Sequence, residues 1–187
     1  MNLKEFISHC HVEVLRSRNG LLLLRLFRCL WSQDMSRQVA LRIRLAQMLR
    51  HYGFKKLSQR QLFKLATRFG VYLGNRTQIG LGVRFPHPTS VVVGAGLRIG
   101  SKCRLYQQVT LAAAPEHWQD LMPRLGDHVT VYPGAKFVGE GRVGNNVVVG
   151  ANAVVNKVFG DNVVLAGVPA RIVGSIEPLP IATEADE

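Results

Sequence analysis

The sequence predicts a parallel β-helix built from six-residue rungs, mainly β, preceded by a small α-helical N-terminal region. Three observations predict it. After Gly74 an aliphatic residue or Phe recurs at every sixth position. Four places further on in each hexad stands, in most cases, a small or β-branched residue. Before Gly74 the apolar spacing is helical instead. The chain has 187 residues, 47% of them hydrophobic, enough for a sizeable core and for one domain with an attached helical unit.

The helical region is taken as residues 1–74, the β-helix as 75–176 and a tail as 177–187. Leu41, Leu45, Met48, Leu49 and Tyr52 fall on one helical face, and the arginines between them are expected on the other. Gly53 ends that helix. Ser58 is expected to cap the next one, whose apolar positions are Leu62, Leu65, Ala66 and Phe69, with Gly70 as its stop. Residues 15–31 form a further amphipathic, basic stretch.

The hexads run 79–84, 93–98, 99–104 and 105–110, then 125–130, 131–136, 137–142, 143–148 and 149–154. Each makes a short strand and a tight turn, and three close one triangular coil of about eighteen residues. Positions one and five point inward. Position two is often Gly, expected to serve turns with unusual backbone angles. Cys103 falls on position five and reads as a small core residue. One coil cannot bury its own face, so coils must stack.

The charge is uneven. Residues 1–76 hold 15 Lys/Arg and 3 Asp/Glu, and residues 77–187 hold 9 of each, so the whole excess of +12 lies in the N-terminal part. That suits an anionic membrane surface, a polyanionic substrate or a solvated helical face. No nucleic-acid module accompanies it, so no nucleic-acid partner is expected. Three cysteines at no metal-ligand spacing argue for a reducing compartment and against a disulfide framework or a zinc site; no metal is expected. The first residues lack a signal-peptide layout, and the apolar run 21–24 is too short to span a bilayer. The expected location is cytoplasmic, with peripheral contact at the inner face of the membrane left open.

Two interruptions carry the chemistry. Ile79 to Val93 is fourteen positions where two hexads need twelve, so two extra residues swell the turn Phe85-Pro86-His87-Pro88-Thr89-Ser90. The second interruption is 112–124. With the closing stretch Ala166-Gly167-Val168-Pro169-Ala170-Arg171-Ile172-Val173, these features resemble the hexapeptide-repeat acyltransferases. The likeness covers about residues 72–176 and is greatest to the serine acetyltransferase branch and the surface-polysaccharide O-acetyltransferases related to it. It implies a left-handed β-helix, acetyl-CoA as co-substrate, and a homotrimer or a dimer of trimers.

The resemblance places the catalytic histidine of this branch at His87, as general base. It places CoA along the groove between neighbouring β-helices, near Pro133, Ala151, Asn156, Lys157 and Arg171. It makes 112–124 a loop beside the acceptor, with Glu116, His117, Trp118 and Asp120 as candidate contacts. Two departures stand out. The family's Asp-Arg-His-Pro is here Asp120-Leu121-Met122-Pro123, and the Asp that orients the histidine is Tyr72. Both disfavour an amino-acid acceptor, which would lose charge-assisted partners. The leading expectation is therefore O-acetylation of a sugar hydroxyl in surface polysaccharide or its lipid-linked precursor. Serine O-acetylation is the alternative, and a non-catalytic oligomeric scaffold the third reading. His128, at an outward hexad position, reads as solvent-facing.

Overall fold

A computed structural model of the chain describes residues 1–15, 22–112 and 122–179. Fifteen short strands form three five-stranded faces of a triangular prism. The first face holds β1 (Val71–Leu73), β3 (Val91–Val93), β6 (Thr110–Leu111), β9 (Lys136–Phe137) and β12 (Val154–Val155). The second holds β2 (Gln78–Ile79), β4 (Arg98–Ile99), β7 (Arg124–Leu125), β10 (Arg142–Val143) and β13 (Val158–Phe159). The third holds β5 (Arg104–Leu105), β8 (Thr130–Val131), β11 (Val148–Val149), β14 (Val163–Ala166) and β15 (Arg171–Ser175). Every pairing is parallel except the last, where β15 turns back on β14. This is the predicted parallel β-helix. Helices precede it, and β1 follows directly on Gly70.

Hexad positions one and five build the core. Ile79, Ile99, Leu125, Val143 and Phe159 stack on one face, and Val83, Leu97, Cys103, Val109, Val129, Ala135, Val147 and Ala153 fill the corners, all buried. Each fully buried Val or Leu is worth about 1.5–3 kcal/mol. Burial pushes the Cys103 thiol up to about 11, and the Cys10 thiol in the helical core up to about 12. All three cysteines are free and buried.

The role expected of glycine at position two is corrected. The left-handed backbone sits at position four, where Arg76, Lys102, Gln108, His128, Asn146, Asn152 and Asn162 take positive φ beside Gly82, Gly96 and Gly134. Position-two glycines are needed for clearance. A Cβ on Gly74, Gly80, Gly100 or Gly126 would come within 3.0 Å of the next coil's backbone. Gly100→Ala is therefore expected to cost about 1–3 kcal/mol by overpacking. A urea midpoint unchanged from the wild type would contradict this.

Among the described residues, four helices and one π-helical segment cap the base of the prism. They are α1 (Leu3–His9), the π-helical segment Cys10–Leu15, α2 (Leu22–Leu30), α3 (Met35–His51) and α4 (Lys55–Phe69). Asn2 and Glu5 form a capping box on α1. Gly70 ends α4 in the left-handed conformation, as expected, with φ 64°. The Ser58 expectation is corrected. The helix begins three residues earlier, and the buried Ser58 hydroxyl donates to the Ala46 carbonyl at 2.8 Å, tying α4 to α3.

The solvated arginine face expected on α3 is also corrected. Arg42 and Arg44 are buried, because α3 is packed on several sides by the other helices and by the first coil. Arg44 Nε donates to Glu13 at 2.8 Å, and its remaining N–H groups reach Gln47 and the carbonyls of Ile79 and Gly80. Glu13 also accepts from the Gly82 N–H at 2.8 Å. One buried ion pair thus bolts the π-helical segment, α3 and the first turn of the prism together. Among the described residues no helix is long and apolar enough to cross a membrane.

Candidate active site

The turns between faces line three edges of the prism. The edge between the third and first faces carries 86–90, 106–109, 132–135, 150–153 and 167–170. His87 stands on it, in the only one of these turns that the sequence swells. Val71 pairs with Val91, a step of twenty residues, whereas Val93 pairs with Leu111, a step of eighteen. Phe85 and Pro88 are buried on either side of the turn and His87 is exposed between them. The Thr89 N–H closes the turn on the His87 carbonyl at 2.8 Å, and the Gln108 N–H ties it to the next coil through the Thr89 carbonyl at 3.0 Å.

The ring neighbour of His87 is Tyr106, 6.2 Å away between centroids and tilted by 50°. Tyr106 stacks in turn on Tyr132 at 5.3 Å and 15°. The expected partner Tyr72 lies exposed on the outer side of β1, and among the described residues no hydrogen bond joins it to His87. Tyr106 and Tyr132 were not anticipated as site residues. Their signal was present, since both occupy position two, where glycine is the norm, and so carry a side chain out onto the His87 edge. Lys136 reaches the same edge, donating to the Gln108 and Gly134 carbonyls at 3.0 and 2.8 Å.

The structure divides the predicted CoA residues. Pro133 and Ala151 stand above His87 on its own edge, Ala151 three rungs higher, roughly 14 Å at the usual strand spacing. Arg171 is exposed on β15, paired with Ala166 at the top of the third face. Asn156 and Lys157 lie exposed on another edge, between the first and second faces, with Lys157 Nζ 5.4 Å from the Phe159 ring. Glu116, His117, Trp118, Asp120 and Leu121 lie outside the described residues. Met122 is described and packs against the core of the prism, where its carbonyl accepts from Arg142 at 3.2 Å. Among the described residues no group of three or more His, Cys, Asp or Glu is placed to hold a metal.

An exposed imidazole beside Tyr106, on an edge whose upper turns hold small residues such as Gly150 and Ala151, suits proton abstraction beside a long, thin ligand. No protein-family model matches the chain. Individual proteins do. A curated relative from Mycobacterium tuberculosis is 32% identical over 137 residues, covering 73% of this chain and 60% of that protein. One from Staphylococcus xylosus is 34% identical over 124 residues, covering 65% and 57%.

The likeness is to serine acetyltransferases. Both relatives bear that name. A solved serine acetyltransferase in complex with CoA superposes with a TM-score of 0.68 at 28% identity, covering 89% of this chain and 68% of that one. The Neisseria gonorrhoeae serine acetyltransferase superposes at 0.74 with 22% identity, over 95% and 67%, a likeness of fold. Relatives and neighbours together support a hexapeptide-repeat acetyltransferase. The chain spans 60% and 57% of the two curated serine acetyltransferases, under two thirds of their length.

Proposed function

We propose that the chain is an acetyl-CoA-dependent O-acetyltransferase with His87 as general base and serine as acceptor. The observation that carries the chemistry is His87 itself. It is held exposed in a swollen turn, at the foot of an edge that beyond Tyr106 and Tyr132 rises to small residues, Gly150 and Ala151, with room for a pantetheine arm. The imidazole takes the acceptor's hydroxyl proton as the oxygen attacks the thioester carbonyl. The tetrahedral intermediate collapses, the C–S bond breaks, and the CoA sulfur takes the proton from the imidazolium. Tyr106 restrains the ring by packing, a task that Tyr72 does not perform within one chain.

Serine rests on the names of the relatives, which back it over the sugar hydroxyl favoured by the sequence. The sugar acceptor stays as the second reading on one observation: Met122 is committed to the core, at a position where the resemblance calls for a polar substrate contact. Lys157 and Asn156 reach His87 only if the first–second edge of one subunit meets the third–first edge of the next. A threefold assembly does this. The first face suits it, being the least charged, with Tyr72, Val92, Thr110 and Val154 outward and Lys136 folded onto backbone carbonyls. The test is CoA release from acetyl-CoA, with serine and with a panel of sugars, on species separated by sedimentation. Turnover with serine in a trimer or larger species is expected. Turnover with sugars alone overturns the acceptor, and an active monomer overturns the assembly.

We further propose peripheral contact with anionic membrane through α2. Leu24, Phe27 and Trp31 are exposed on one helical face beside Arg28, while Leu26 and Cys29 turn into the helical core. An interfacial helix needs that pairing of apolar and basic groups. Residues 16–21 of the predicted basic stretch lie outside the described residues. The full chain should float with anionic vesicles at low salt and detach at high salt. Equal flotation of a Phe27→Ser, Trp31→Ser variant would exclude this surface.

A further inference from the structure

Residues 77–187 carry no net charge in the sequence, but four of their nine acids lie in the 177–187 tail, and the fold sorts the charges of the prism. Arg84, Arg98, Arg104, Arg124 and Arg142 all occupy outward strand positions of the second and third faces. Acids of the described prism lie in turns instead. Asp127 and Asp161 are used there to accept backbone N–H groups of the coil below, from Ser101 and Asn145.

At the edge between the second and third faces, two of these arginines, Arg84 and Arg104, meet Lys102 at a groove of about 430 Å³ that His128, Thr130 and Asn146 also line. No acid lines it. Val12 of the π-helical segment and Leu179 also contribute to its walls. Arg84 and Arg104 are direct register partners on adjacent coils. Like charges set opposite one another across a strand pair are unfavourable. Among the described residues, no salt bridge to Arg84, Lys102 or Arg104 offsets that repulsion. His128, expected to be solvent-facing, is half-buried in the wall, held there by its left-handed backbone with φ 57°.

We infer that this groove binds a diphosphate group. Two guanidinium forks side by side match the oxygens of two linked phosphoryl groups, and Lys102 adds a third permanent charge. A single phosphate carries only about −1.5 to −2, and so leaves at least one of the three cations uncompensated. A diphosphate comes closer to balance. The site is separate from the proposed CoA edge: it lies on the lower coils at a different edge from Pro133 and Ala151, and it goes beyond the acetyl-transfer reading.

Calorimetry on the full chain at low salt tests the inference, with inorganic phosphate, pyrophosphate and isopentenyl diphosphate as probes. Pyrophosphate should bind more tightly than phosphate, and Arg84→Gln and Arg104→Gln should each weaken it by about tenfold, the scale of one charge-assisted hydrogen bond. Lys102→Gln gives a second, independent check should an arginine variant fold poorly. Arg124→Gln, on the neighbouring face, removes the same charge outside the groove and should leave binding intact. Pyrophosphate tighter than the monoester points to a free ligand, and the reverse to an esterified one; either supports the site. No pyrophosphate binding or an equal loss in Arg124→Gln overturns it, and displacement by CoA, which carries a diphosphate of its own, overturns its separation from the CoA edge. Binding is read without turnover, so the result does not depend on which acceptor is correct.

Discussion

Replacing His87 with alanine lowers the acetyl-transfer rate by about 10²–10⁴-fold, the usual share of a positioned general base, and hardly moves the thermal midpoint. The two halves of that expectation have separate causes. Proton abstraction is lost because, among the described residues, no other imidazole shares the edge between the third and first faces. Stability is kept because the His87 ring is exposed, while its neighbours Phe85 and Pro88 carry the packing of the turn. The swelling is held by backbone bonds through Thr89, which the substitution leaves in place. Steady-state kinetics with acetyl-CoA and calorimetric unfolding of the same preparation read both. Near-normal turnover in the variant would remove His87 from the mechanism. A large drop in the midpoint with turnover lost would leave misfolding as the cause.

Replacing Arg44 with methionine is expected to cost about 3–5 kcal/mol, because Glu13 is then left buried without its cation. The pair is nearly inaccessible, 2% exposed on each side, so solvent offers little screening. Removing both partners, as Glu13→Leu with Arg44→Met, should cost less than Arg44→Met alone. Urea unfolding at fixed protein concentration measures the difference. A double variant as unstable as the single one would show that the pair matters through its packing instead.

The same pair sets an acid limit. Burial by itself raises the Glu13 pKa, but the His9 ring, the Arg44 guanidinium and the Gly82 N–H outweigh it and hold the carboxyl below its ordinary 4.5. A carboxyl depressed by folding stabilises the native state fully above its unfolded pKa. Its contribution fades as the pH falls below about 4.5 and through the lower folded value. Arg44→Met should flatten the stability profile in that window, and a profile parallel to the wild type would show that Glu13 is not the group titrating.

Most of the fold is legible in the hexads because the β-helix is a local code. Where no turn is interrupted a strand's neighbour lies about eighteen residues away, so Val131 meets Val149 without any long-range choice, and the 112–124 interruption lengthens the step from Leu105 to Val131 to 26 residues. Departures from the step are equally legible, which is why the two extra residues around His87 could be seen in the chain. The helical half is less so. The spacing of Leu41, Leu45 and Met48 predicts a helix, but it does not say that the helix is surrounded, and Arg42 and Arg44 read as solvated until their partners are known. Ser58 misleads for the same reason: its hydroxyl has two uses, and only the proximity of the Ala46 carbonyl selects one.

The sequence by itself determined the parallel β-helix, the inward residues and the swollen turn that holds His87, because these depend on spacing along one strand of chain. Tertiary structure decided everything that depends on which coil lies above which. It gave position-two glycine its clearance role, brought Tyr106 rather than Tyr72 to the His87 ring, and placed Lys157 on a different edge from His87. It also gathered Arg84, Lys102 and Arg104, scattered along residues 84–104, into one basic groove. The physical reason is the same in each case. Stacking brings residues about eighteen positions apart to within one strand spacing, and contact energies depend on that spacing, not on separation along the chain.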